Sequence, residues 1–137
     1  MSQAFIPFLR WWRHFRWRKK ISQICYVSSM SEVPTRLGAK LFIVQRAGIP
    51  RWAILDCPCL CGSRIEANLM TSSHPHWRLI KDGDKVTLTP SLWQPSSRCG
   101  SHFFVTKNRF KWIPPALRAG SPHLRVWFVA VLFLLVR

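Results

Sequence analysis

A chain of 137 residues has room for one ordinary domain, and a hydrophobic fraction of 48% supplies a core, which excludes disorder along the whole length. The formal net charge of +16 implies attraction to something anionic: nucleic acid, an anionic membrane surface or an acidic protein partner. All five acids (Glu32, Asp56, Glu66, Asp82 and Asp84) lie between positions 32 and 84, so both ends differ in composition from the middle.

Residues 1–20 interleave tryptophan and arginine, with Phe5, Phe8, Leu9, Trp12 and Phe15 at near-helical spacing. This basic leader reads as an interfacial amphipathic helix, as a nucleic-acid arm that stacks bases and neutralises phosphates, or as a solvated tract. It contains no apolar run followed by a small-residue cleavage site, so the expected location is the cytoplasm, where thiols stay reduced.

From Ile21 the pattern changes to short β-like runs separated by turn residues. Leu41–Val44 is continuously apolar, which suits a strand buried on both faces. Gly48-Ile49-Pro50 reads as a turn, and Trp52–Leu55 as the strand that leads into the cysteines. Arg64–Leu69 is a further strand. Trp77–Lys81 and Lys85–Thr89 flank Asp82-Gly83, a hairpin signal because both residues tolerate positive φ. Phe103–Thr106 and Arg109–Trp112 flank Lys107-Asn108 in the same way. After Trp112 comes a linker, then a tail with eleven uninterrupted apolar residues at 126–136. A bilayer span needs about 20. The expected fold is mainly β: a small, zinc-stapled antiparallel domain over residues 21–113, with a basic leader at 1–20 and a linker and short apolar tail at 114–137 as flexible appendages.

The chemistry concentrates in two short segments. Cys57, Cys59 and Cys61 occupy alternate positions around Pro58 in a stretch ending at Gly62, which favours a loop wrapping thiolates around one point. Thirty-seven residues separate Cys61 from Cys99, which His102 follows, enough for intervening strands to bring the chain back. Thiolates and imidazole are the ligands that zinc takes, four at a time. Cys57, Cys59, Cys61, Cys99 and His102 therefore offer five candidates for four places. Such a sulfur-rich closed shell reads as a structural staple, with an open catalytic zinc as the alternative. Arg64 and Arg98 are placed to offset thiolate charge.

Other constellations carry less. Ser91, Ser101 and His102 could supply a nucleophile and a base, with no elbow motif or third orienting group identifiable. Asp82 and Asp84 belong to a hairpin turn, and His74 and His76 to a polar loop. Trp52, Trp77, Trp93 and Trp112 are expected to fill the core, and Cys25 to be a small buried hydrophobe.

The middle of the chain resembles a bacterial domain family of unknown function. The resemblance is carried by Cys57-Pro-Cys-Leu-Cys-Gly62, His76-Trp-Arg-Leu79, Thr87-Leu-Thr-Pro-Ser91 and Cys99-Gly-Ser-His-Phe103, in that order, across roughly residues 20–112. Members occur beside genes for ubiquitin-like proteins and their activating and conjugating enzymes. The resemblance thus implies those proteins as partners and a peptidase that processes or removes the modifier. It directs attention to Ser91 and Ser101. Leu60 departs from the pattern, standing where a glycine is expected. The readings from other classes are a nucleic-acid-binding protein with a structural zinc and a membrane-peripheral basic protein.

Overall fold

The computed structural model of the chain describes residues 20–95 and 97–113. The leader (Lys20 apart), the linker and the apolar tail fall outside the described residues, and with them the nucleic-acid-arm and membrane-anchor readings of those ends. Among the described residues no helix is long and apolar enough to cross a membrane.

The described residues are mainly β, with eight strands in two four-stranded sheets and one 3-10 turn at Met30–Glu32. The first sheet contains β1 (Gln23–Val27), β2 (Lys40–Arg46), β3 (Ile49–Asp56) and β4 (Arg64–Asn68), side by side in chain order. The second contains β5 (Arg78–Asp82), β6 (Lys85–Trp93), β7 (His102–Thr106) and β8 (Arg109–Trp112), again in chain order. All neighbours are antiparallel except β1 and β2. A parallel pair needs a crossover, and residues 28–39 supply it. Val33 and Leu37 of this crossover pack on Phe42, Val44 and Ile54, so β2 is covered on both faces, as its continuous apolar run requires. Asp56 Oδ2 accepts the backbone N–H groups of Leu37 and Gly38, each at 3.0 Å. The Arg64 guanidinium donates to the carbonyls of Pro34 and Thr35. Arg64 thus anchors the crossover through backbone carbonyls.

The turns follow backbone chemistry. Ala47 and Gly48 both have positive φ (50° and 73°), and Ile49 and Pro50 already belong to β3. The turn therefore falls earlier than the proline suggested, because paired positive φ values match the twist of a two-residue hairpin. Gly83, at φ 60°, opens the β5–β6 turn, and Lys107-Asn108 (φ 49° and 65°) close β7–β8. The Asn108 side chain accepts the Val86 N–H at 2.8 Å and donates to the Asp84 carbonyl at 3.0 Å. Its own carbonyl accepts the Ile21 N–H at 2.7 Å, which ties the entering chain to the second sheet.

Both sheets share one core, in which Leu41, Ile43, Ala53, Leu55, Ile65 and Ala67 of the first meet Val86, Leu88, Leu92, Phe103 and Val105 of the second. Trp77 and Trp112 pack against it, and Trp52 against the crossover side. Cys25 is half-buried there as well. Trp93 differs from the sequence expectation and stands 57% exposed, because Leu92 takes the inward position and strand alternation turns its neighbour outward.

Phe103 is fully buried and stacks edge-on to Phe110 (88°, centroids 5.6 Å apart) and obliquely to Trp112 (5.3 Å). Phe103→Ala is expected to cost about 3–5 kcal/mol, read as a lowered urea midpoint at constant slope.

Candidate metal centre and serine–histidine pair

The β3–β4 connection is built to gather sulfur. Cys57 donates its N–H to Ser63 at 2.8 Å and accepts from Leu60 N–H at 3.1 Å, so residues 57–63 fold into a tight double turn. Leu60 and Gly62 complete it with positive φ (65° and 82°). That geometry explains why a glycine suits position 60, since a side chain in the left-handed region costs about 1–2 kcal/mol. Cys57 and Pro58 are buried, whereas Leu60 and Cys61 face outward. From the β6–β7 connection Cys99 returns to this loop. The four Sγ atoms of Cys57, Cys59, Cys61 and Cys99 all lie within 4.8 Å of one another.

These four side chains can hold a metal ion. A tetrahedral centre with metal–sulfur bonds of about 2.3 Å separates its sulfurs by about 3.8 Å. The Cys57–Cys99 separation is 3.8 Å and the Cys57–Cys59 separation 3.3 Å. Neither is a disulfide, and all the cysteines of the described residues are free. Burial pushes the Cys57 and Cys59 thiols up, since a thiolate loses its hydration there. Partial burial would raise Cys61 too, but hydrogen bonding from Ser63, Cys59 and Cys99 brings it down to about 7. A cation at the centre would favour all four thiolates at once, so its binding releases protons.

The two serines singled out by the sequence separate cleanly. Ser101 is buried and its Oγ accepts from the Cys99 thiol at 3.2 Å, so it belongs to the sulfur cluster. His102 is not in the four-sulfur group. Its Nε2 lies 2.7 Å from Ser91 Oγ. Ser91 sits at an irregularity in the β6–β7 ladder: Leu88 faces Val105 and Leu92 faces Phe103, so Thr89, Pro90 and Ser91 together oppose Phe104. Such bulges re-aim side chains, often beside active sites. The Trp77 indole N–H donates to the Ser91 carbonyl at 3.2 Å and ties down the bulge. A serine hydroxyl held against a neutral imidazole nitrogen is the arrangement that activates a nucleophile.

A groove of about 490 Å³ runs up to this bulge, lined by Pro50, Leu69, Trp77, Arg78, Thr89 and Pro90 among others. Its wall depends on Asn68, which the sequence reading passed over. The buried Asn68 amide donates to Ser73 Oγ (2.8 Å) and to the Ser73 and Pro75 carbonyls (3.2 Å each), and accepts the Met70 N–H at 2.9 Å. A polar residue on the inward side of a strand that ends in a serine- and proline-rich loop was the available signal. His74 and His76 stand at the surface of that loop, Nδ1 to Nδ1 at 3.2 Å.

The parts define a class: a small two-sheet β protein with a four-thiol centre next to a serine–histidine pair. Residues 29–113, more than half of the chain, match the model of the family described as bacterial ubiquitination-like system serine protease (BubE), and the chain belongs to that family. No curated protein and no solved structure matches it.

Two outcomes check the centre. Cys99→Ser should lose most of the bound metal, measured by elemental analysis, and with it the cooperative unfolding transition, since metal binding contributes folding free energy directly. Leu60→Gly should retain the metal and raise stability by about 1 kcal/mol, because the position already has positive φ.

Proposed function

We propose that this protein is a serine peptidase of a bacterial ubiquitin-like modification system, one that cleaves the bond following the modifier's C-terminal tail in a precursor or a conjugate. The observation that carries this reading is the 2.7 Å approach of Ser91 Oγ to His102 Nε2 on a strand bulge beside an open groove. Family membership supports the serine chemistry and the system it serves. The match over residues 29–113 also supports 21–113 as the working domain.

In this reading Ser91 is the nucleophile and His102 the base. As Ser91 Oγ bonds to the scissile carbonyl carbon, His102 Nε2 takes the hydroxyl proton. The carbon–nitrogen bond then breaks and His102 returns that proton to the leaving amine, which leaves the modifier's tail as an ester on Ser91. Water, deprotonated by His102, attacks the ester, releases the carboxylic acid and restores the hydroxyl. The groove beside Thr89 and Pro90 takes the residues that flank the scissile bond. Cys57, Cys59, Cys61 and Cys99 would hold zinc, and an ion bound by four thiolates would serve as a structural staple for the two loops they come from. Ser101, bonded to Cys99 and adjacent in sequence to His102, passes that rigidity to the base.

A purified full-length chain and a fusion of the system's modifier to a reporter protein test the reading. Ser91→Ala and His102→Ala should each lower cleavage by about a thousandfold or more, with the double variant little worse than either single one. A fluorophosphonate should modify Ser91, located by peptide mass, and both variants should keep wild-type metal content. Cleavage that persists in Ser91→Ala rejects the assignment.

A further inference from the structure

Strand alternation sets what surrounds the serine–histidine pair. Leu92 and Phe103 point into the core, so Ser91, Trp93, His102 and Phe104 share the outer face of the second sheet. Trp93 lies directly across the ladder from His102, and Phe104 two residues further along β7. The two aromatics are 57% and 41% exposed. Large rings left in water on both sides of a reactive pair form an apolar patch that a partner would bury with profit. Basic residues border it: Lys111 faces Phe104 across the β7–β8 ladder, Arg109 stands two positions before it, and Arg78 faces Thr89. All three are exposed. Asp82, at the far end of β5, is already engaged by Lys107 at 3.4 Å.

We propose that this face docks the folded body of the modifier, a protein that presents an apolar patch bordered by carboxylates, with its tail reaching Ser91 from the same side. The proposal rests on the peptidase reading for the identity of the partner. Trp93 and Phe104 are the anchors, of the residue type that dominates interface energetics, and Lys111, Arg109 and Arg78 form a rim that steers the acidic partner. Charge complementarity selects the occupant: a basic border disfavours a second copy of this basic chain on the same patch and suits a carboxylate-bearing protein.

The test is calorimetric titration of the full-length chain with the mature modifier of the same system, whose tail ends in a free carboxylate so that no hydrolysis intervenes. Trp93→Asp and Phe104→Asp should each weaken binding by about tenfold or more. Lys111→Glu should weaken it by a few fold, and wild-type affinity should fall as salt rises. Metal content and circular dichroism report that each variant is folded. Wild-type affinity in both aspartate variants overturns the proposal, as does the absence of measurable binding by the wild type. Self-association of the chain that Trp93→Asp dissolves also overturns it and assigns the face to a second copy. Binding lost in both variants, with no hydrolysis of any modifier fusion, would keep the docking face and remove the peptidase. Hydrolysis with unaltered modifier affinity in both would do the reverse.

Discussion

Burial of the Phe103 ring decides where its two predecessors go. With that side chain locked between the sheets and paired across from Leu92, strand alternation turns His102 to the outer face. The residue before it reaches the chain that carries Cys99, where Ser101 meets the thiols. Three consecutive residues therefore serve three systems: the sulfur cluster, the pair with Ser91, and the core. A displacement at any one is transmitted to the others through two peptide units, with little slack to absorb it.

That coupling gives the thiol cluster a purpose beyond holding two loops together. The β6–β7 ladder is irregular, and the bulge at Thr89–Ser91 interrupts it at the residue whose hydroxyl meets His102. Backbone hydrogen bonds that a regular strand would provide are missing at such a bulge. Their place is taken by the Trp77 indole on the Ser91 carbonyl and by the anchoring of Cys99 against the β3–β4 loop. Crowding four thiols around one point while burying Cys57 is unfavourable for the anions. A cation that compensates them makes folding of the loops and placement of His102 parts of one equilibrium.

The surface shows a division of labour between the sheets. The first sheet is covered on both faces, by the second sheet and by the crossover that Asp56 and Arg64 pin down. Among the described residues the second is covered on one face only, and the outward side of β6 and β7 carries the serine, the histidine and the exposed aromatics. In a chain with 21 basic and five acidic residues, the basic border around this patch favours an anionic partner.

Much of the fold was legible in the residues themselves. Apolar runs, alternating strands and the turn signals at Asp82-Gly83 and Lys107-Asn108 placed seven of the eight described strands, because period and turn chemistry are local properties, although the first of these turns falls one residue later, at Gly83-Asp84. The turn before Pro50 was misplaced since Ala47, with no mark of positive φ in its side chain, takes that conformation beside Gly48. Pairing of β1 parallel to β2 was not legible, because it depends on where the crossover lands. The cysteines announced themselves by spacing and type, and Cys57, Cys59, Cys61 and Cys99 do converge. What sequence could not do was divide Ser91, Ser101 and His102 among their tasks. Ser101 and His102 are adjacent and Ser91 is ten residues away, yet opposite pointing of neighbouring side chains separates the first two, and the β6–β7 register unites His102 with Ser91. Local composition determined which chemistries were present; only the register of two strands decided which atoms meet.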